Sequence, residues 1–157
     1  MVNNQENDRN AQVSLREITG ETVIQICKLS DTLSEQQQKM VAPNAISIAQ
    51  AHFSDKAWFR AIYADDTPVG FIMLYDDSEK AEYFLWRLMI AGPYQGKGYG
   101  HKAIALLVAY VKTRPGASEL LASYVPTEGG PEEFYRKLGF EPTGQVDHGE
   151  VVVRLSL

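Results

Sequence analysis

Between Pro93 and Ala103 the chain reads PYQGKGYGHKA, placing glycines at 96, 98 and 100 directly ahead of an apolar run. Each glycine costs backbone entropy on folding, so three at alternate positions mark a turn that side chains would obstruct. The run that follows carries Ile104, Leu107, Val108 and Val111 at i, i+3, i+4 and i+7, the spacing of a helix that faces a core. Arg114-Pro115-Gly116 stops it. Ahead of the turn, EYFLWRLMI (82–90) has the aromatic and branched content of a strand. A strand that turns through glycines into a helix leaves the first N–H groups of that helix without partners, at the end where the macrodipole favours negative charge. Such a turn binds an anion, and Gln95 just before the glycines and Lys97 between them add a donor and a charge. The plainer alternative is a glycine-rich connection that holds no ligand.

The rest of the chain supplies the frame. VSLREI (13–18) alternates like a half-buried strand, and a helix follows over TGETVIQICKLS; another is expected from Pro43 to Phe53, with the proline in its first turn. WFRAIYA, the turn DDTP and VGFIMLY form a hairpin, and EYFLWRLMI is the third consecutive strand. ELLASYV (119–125) is a strand. GGPEEFYRKLGF is a short helix with Pro131 first, Glu132 and Glu133 in its first turn and Arg136 and Lys137 in its last. FEPTGQV and EVVVRLSL close the chain around a turn at DHG. The order β, two helices, three strands, helix, strand, helix, two strands predicts an α/β (α+β) domain. Its mixed central sheet of about seven strands is mostly antiparallel and flanked by about four helices, with ELLASYV returning as a parallel crossover. Residues 1–12, MVNNQENDRNAQ, are polar and aperiodic and read as a flexible tail, leaving 13–157 as a single domain.

Composition removes several classes of partner. A net charge of −5 argues against nucleic acid and against an anionic membrane surface, and suits a cationic substrate. The longest apolar run, AIALLVAYV, is too short for a membrane span, and no signal peptide opens the chain. Cys27 is the sole cysteine, so no intrachain disulfide forms, and a cytoplasmic protein is expected. His52, His101 and His148 lack metal-binding spacing, so no metal is expected. The Walker pattern fails because His101 and Lys102 follow Gly100. Gly98, Gly100 and Ala103 match G-x-G-x-x-A, but no alternating βαβ run follows, as a dinucleotide fold would require.

LMIAGPYQGKGYGHKAIALLVAYV, with FYRKLGF further on, resembles the GNAT superfamily of acetyl-CoA-dependent N-acetyltransferases, whose Q/R-x-x-G-x-G/A pattern starts here at Gln95. The likeness spans nearly all of Val13 to Leu157, and APNAISIAQAHF with YQGKGYG is similar to bacterial spermine/spermidine (diamine) acetyltransferases. The resemblance implies that the amides of Gly96, Lys97, Gly98, Tyr99 and Gly100 hold the coenzyme A pyrophosphate, with Gln95 a further coenzyme contact. It also implies that the backbone of Leu88, Met89 and Ile90 pairs with pantetheine where EYFLWRLMI and ELLASYV splay apart. Glu128, Gly130 and Pro131 would touch the coenzyme, although relatives commonly carry Asn where this chain has Glu128. A homodimer is common in that family.

Acetyl transfer needs a neutral amine, a stabilised oxyanion and a proton for the departing thiolate. A thiol near 8.5 and a phenol near 10 are close enough for a positioned tyrosine to donate, and the resemblance puts Tyr135 in that role. Phe134 and Leu138 would form the core face of its helix, with Tyr135 turned away from it; otherwise Tyr135 is an ordinary boundary residue. The Met89 N–H is the expected oxyanion donor. Glu82, on the face expected to hold Phe84, Trp86 and Leu88, is the candidate base acting through water, or else a solvated strand end. Asp31 and Glu35 are candidate contacts for a remote ammonium, or solvated carboxylates, and Trp86 is core or a cation–π platform. The expected activity is transfer of acetyl from acetyl-CoA to a primary amine of a polyamine such as spermidine or spermine. Another small or peptide amine, and a nucleotide sensor without chemistry, are the alternatives.

Overall fold

The computed structural model describes residues 10–157. The strands are β1 (Val13–Arg16), β2 (Ala57–Ala64), β3 (Thr67–Asp77), β4 (Glu82–Ile90), β5 (Glu119–Tyr124), β6 (Glu141–Asp147) and β7 (Glu150–Ser156). They form one seven-stranded sheet in the order β1-β2-β3-β4-β5-β7-β6. Neighbours are antiparallel except β4 and β5, which run parallel, as the crossover predicts. The helices are α1 (Val23–Lys28), α2 (Glu35–Met40), α3 (Asn44–His52), α4 (Tyr99–Lys112) and α5 (Glu132–Lys137). Pro43 and Pro131 stand one residue earlier than expected, at the cap positions before α3 and α5. Of the tail expected over 1–12, residues 1–9 lie outside the described residues. At 10–12, Ala11 is buried, its carbonyl accepts the Lys102 ammonium at 3.2 Å, and the Gln12 N–H donates to Asp65 at 3.0 Å.

Helix α2 is the element that the apolar pattern does not announce, because EQQQKM has no hydrophobic stripe. Its signal is a cap. The Ser34 hydroxyl accepts the Gln37 N–H and the Gln37 side-chain oxygen accepts the Ser34 N–H, each at 3.2 Å, so two orphan donors are satisfied at once.

The sheet separates two cores. Under one face, Ile104, Leu107 and Val111 of α4 are fully buried against Ile72, Leu74, Leu85 and Leu120. Each such side chain contributes about 1.5–3 kcal/mol by leaving water. Under the other, Ile26 of α1 and Ala51 of α3 pack on Ala61, Phe71, Met73 and Met89. Buried Asn44 ties this side together, its amide donating to the Ile26 carbonyl and its backbone N–H to the Ser30 hydroxyl, both at 2.9 Å.

Two irregularities in β4 shape the region beside the glycine turn. Opposite β3, Met73 pairs with Arg87 and Leu74 with Leu85, so Trp86 is an extra residue in the ladder. A bulge of this kind bends the strand and shifts its alternation by one. Tyr83 and Leu85 therefore share a core with Leu88 and Ile90, while Trp86 and Met89 pack in the other. The expectation that Glu82, Phe84, Trp86 and Leu88 share a face is corrected here: Leu88 lies on the opposite side. The second irregularity is that β4 pairs with β5 at Phe84 and Leu121 and parts from it beyond.

Candidate active site

Where β4 and β5 separate, a cleft of about 420 Å³ opens between Leu88, Met89 and Ile90 on one wall and Phe134 and Tyr135 of α5 on another. Gln95, Gly100, Gly129, Gly130 and Pro131 also line it, and Leu33, Gln37, Met40 and Val41 come in from around α2. The elements that sequence spacing singled out, the glycine turn and the FYRKLGF helix, thus meet at one hollow.

The backbone explains the edge. The Ala91 N–H donates to Val69 of the β3 side at 2.8 Å. Strand groups alternate in direction, so the Met89 N–H also points toward β3, and Leu88 and Ile90 present their polar groups to the opened side. The Ile90 carbonyl there accepts the Gln95 amide at 2.8 Å. This corrects the expected oxyanion donor: Leu88 and Ile90, rather than Met89, face the cleft with their N–H groups. An edge of this kind is a template for an extended amide-bearing ligand.

At the turn, Gly96 and Gly98 have φ of +77° and +83°, a left-handed conformation that favours glycine, and a Cβ on either would meet no atom within 4 Å. The space above them is open. Gly100 is needed for another reason, since its Cβ would press on the Phe134 ring at 3.1 Å. The Lys102 N–H donates to the Gly98 carbonyl at 3.2 Å, so α4 starts from Gly98 and the turn meets the positive end of its macrodipole. Of the candidate coenzyme contacts, Leu88, Met89, Ile90, Gln95, Gly100, Gly130 and Pro131 line the cleft. The Tyr99 ring is buried under the sheet, so its backbone is what it offers. Gln95 does not reach out to a phosphate: besides Ile90, its amide exchanges two hydrogen bonds with Gln37, at 3.0 and 3.3 Å. Gln36 donates to the Glu128 carbonyl at 3.4 Å, so α2 clasps both the glycine turn and the segment before α5. Leu33, Gln37, Met40, Val41, Gly129 and Phe134 are lining residues that the sequence did not single out; only the Ser34 cap pointed to the first four.

Tyr135 is 8% exposed, the most buried residue of α5; Phe134 and Leu138 pack half-buried against the same core, so the expectation corrected is that Tyr135 turns away from it. The cause is aromatic packing. Its ring stacks on Tyr124 at 6.0 Å and meets Phe134 and Phe140 edge-on at 5.3 Å, while Phe134 turns to cover Gly100 and His101. Burial, with the negative charge of Glu150 adding to it, pushes the Tyr135 phenol up to about 12. It is therefore neutral and carries its proton across the physiological range.

Glu82 is not brought to this cleft. It stands exposed at the start of β4, beside a second hollow of about 420 Å³ with Tyr75, Tyr83, Phe84, Trp86 and Leu121. The seven residue steps from it to Met89 span about 23 Å of strand. Trp86 lines this second hollow and not the cleft, packing edge-on to Tyr75 at 6.5 Å with the Arg87 guanidinium 5.8 Å from its ring. Asp31 and Glu35 are exposed and line neither hollow. Among the described residues no His, Cys, Asp and Glu cluster that could hold a metal is found. No helix described is long and apolar enough to cross a membrane.

Comparison with solved structures places this arrangement. An acetyltransferase from Thermus thermophilus superposes with a TM-score of 0.75 at 15% identity, over 93% of this chain and 97% of that one. PaiA N-acetyltransferase from Thermoplasma acidophilum, in complex with coenzyme A, gives 0.68 at 18% identity over 93% and 99%. N-acetylglutamate synthase from Neisseria gonorrhoeae, complexed with coenzyme A and N-acetyl-glutamate, gives 0.71 at 18% identity, over 94% of this chain and 36% of that one. A search of curated proteins finds no match. At these identities the superpositions establish the fold. The acetyltransferase (GNAT) family model matches residues 24–140, a span that holds the splayed strands, the glycine turn and Tyr135, and the chain therefore belongs to the GNAT family and is an acetyl-CoA-dependent acetyltransferase.

Proposed function

We propose that the chain transfers acetyl from acetyl-CoA to a primary amine of a small polyamine such as spermidine or spermine, with Tyr135 as the general acid. The observation that carries the chemistry is the meeting of Tyr135, the open glycine turn and the freed edge of β4 around one cleft. The coenzyme supplies an acetyl thioester. The N–H groups of the glycine turn hold its diphosphate, and Leu88 and Ile90 orient its amide arm along the strand. Gly129, Gly130 and Pro131 close the cleft from the α5 side. Tyr135, neutral because it is buried, gives its proton to the departing sulfur.

The acceptor reading rests on the second hollow. Tyr75, Phe84 and Trp86 offer aromatic faces and Glu82 a carboxylate, a lining suited to an ammonium group. The overall charge of −5 favours a cation in the same sense. We carry forward a cytoplasmic homodimer as the setting, which sedimentation of the purified chain checks.

Calorimetry with acetyl-CoA, followed by thiol release with a panel of amines, tests the proposal. Heat on adding acetyl-CoA and release with spermidine or spermine are expected. No heat at millimolar coenzyme ends it, and release with other amines but not polyamines moves the acceptor while keeping the chemistry.

A further inference from the structure

The proton of the acceptor ammonium needs a carboxylate near the transfer point, and Glu82 is too far along β4. In β5, Leu120, Ala122 and Tyr124 belong to the core under α4, so Leu121 and Ser123 face the other way. Ser123 pairs with Val152 of β7, and Glu150, two residues earlier, lies on the same face as Val152. The Ser123 hydroxyl donates to the Glu150 carboxylate at 3.5 Å. On β4, Arg87 pairs with Met73 and so points to that same side. Its guanidinium donates to the Trp86 carbonyl at 3.0 Å and to the Gln50 side chain at 3.2 Å, and its buried Nε has no partner among the described residues. Arg87, Ser123 and Glu150 therefore converge from three strands over the gap where β4 and β5 part, and Tyr135 lies in the wall of the cleft that this gap opens.

We propose that Glu150, from the first position of β7, is the general base that takes the proton from the acceptor ammonium; this rests on the acetyltransferase reading above. The placement agrees with electrostatics: burial raises the Tyr135 phenol and the charge of Glu150 adds to it, while burial lowers the Arg87 guanidinium and the charge of Glu150 offsets part of that. The groups that face it are Arg87 from β4, Ser123 from β5 and Tyr135 from α5, with Asp147 and His148 in its own turn. The carboxylate removes one proton from R–NH3+, and the freed lone pair forms the C–N bond at the acetyl carbonyl carbon. As the carbonyl re-forms, the C–S bond breaks and sulfur takes the Tyr135 proton. The phenolate recovers a proton from the new amide nitrogen, and Glu150 releases its own to water, so one proton is set free per turnover.

The test is Glu150→Gln, which keeps the acceptor oxygen for Ser123. With the best amine of the panel, kcat/KM near neutral pH should fall by about 10²–10⁴-fold while acetyl-CoA affinity holds. The deficit should shrink as pH approaches the amine's own value near 10, where no base is needed, and Glu150→Asp should recover part of the rate. An unchanged rate, or a deficit of equal size at every pH, overturns the assignment. Tyrosine labelled with carbon-13 at the ring carbon bearing the hydroxyl gives a second readout: in Glu150→Gln the Tyr135 titration should move downward. Should the wild-type chain bind acetyl-CoA and acetylate no amine, the polyamine proposal falls, and this titration decides alone, an unmoved Tyr135 overturning the assignment.

Discussion

Replacing Tyr135 by phenylalanine removes one oxygen and keeps the ring that stacks on Tyr124 at 6.0 Å and packs edge-on to Phe134 and Phe140 at 5.3 Å. Packing is thus conserved, and unfolding near neutral pH should change by less than about 1 kcal/mol. Catalysis should not be conserved. A positioned proton donor contributes about 10²–10⁴-fold, or about 2.7–5.4 kcal/mol of barrier, and the loss should fall on kcat with acetyl-CoA affinity unchanged. A second signature comes from the raised phenol. Its folded value of about 12 against 10.0 is a shift of about two units upward, so the fold favours the neutral form. The stability this confers is whole below pH 10 and is lost as pH rises from 10 toward 12, to a limit of about 2.7 kcal/mol. The phenylalanine variant has no such proton to lose. Tyr110, also raised to about 12, remains in both proteins and cancels in the comparison. Thiol release gives kcat, and urea unfolding at about pH 8 and about pH 11 gives the stability difference. Equal kcat, or urea midpoints that fall in parallel for both proteins, would refute the reasoning.

Other contacts carry predictions of their own. Gly98→Ala puts a Cβ on a residue at φ +83°, which costs about 1–2 kcal/mol, and should weaken acetyl-CoA binding measured by calorimetry while leaving Tyr135 buried. Asp76→Asn weakens hydrogen bonds from Tyr110 at 2.7 Å and Arg114 at 3.0 Å to a side chain 8% exposed. A loss of about 1.5–3 kcal/mol in urea unfolding is expected, with the Tyr110 titration moving down from about 12. Gln37→Ala opens the amide pair with Gln95 and should raise KM for acetyl-CoA more than it lowers kcat; an unchanged KM would show that the clasp of α2 contributes nothing to coenzyme binding.

What the sequence disclosed and what it withheld divide along a physical line. The α4 helix, its glycine turn and the strands around them were legible because their signals are periods and caps within a dozen residues, and Ile104, Leu107 and Val111 are buried as their spacing requires. The face of a strand residue, by contrast, is a count, and one bulge invalidates every count that crosses it. Trp86 is that extra residue, so Leu88 lies opposite the side that alternation from Glu82 assigns, and Arg87 takes its place on the face of Trp86. Tyr135 shows the same limit in a helix: Phe134 and Leu138 have core spacing and do pack on the core, yet Tyr124 and Phe140, brought in by other elements, bury the tyrosine more deeply than either. Glu150 carries no local signal, since it opens an ordinary alternating strand, and it reaches the gap only through the pairing of β7 with β5. The splay itself depends on a single point of contact between β4 and β5, and the same parting that frees the Leu88 and Ile90 edge for the coenzyme opens the space over which Arg87, Ser123 and Glu150 meet. Closing it, by extending the ladder beyond Phe84 and Leu121, would remove both at once.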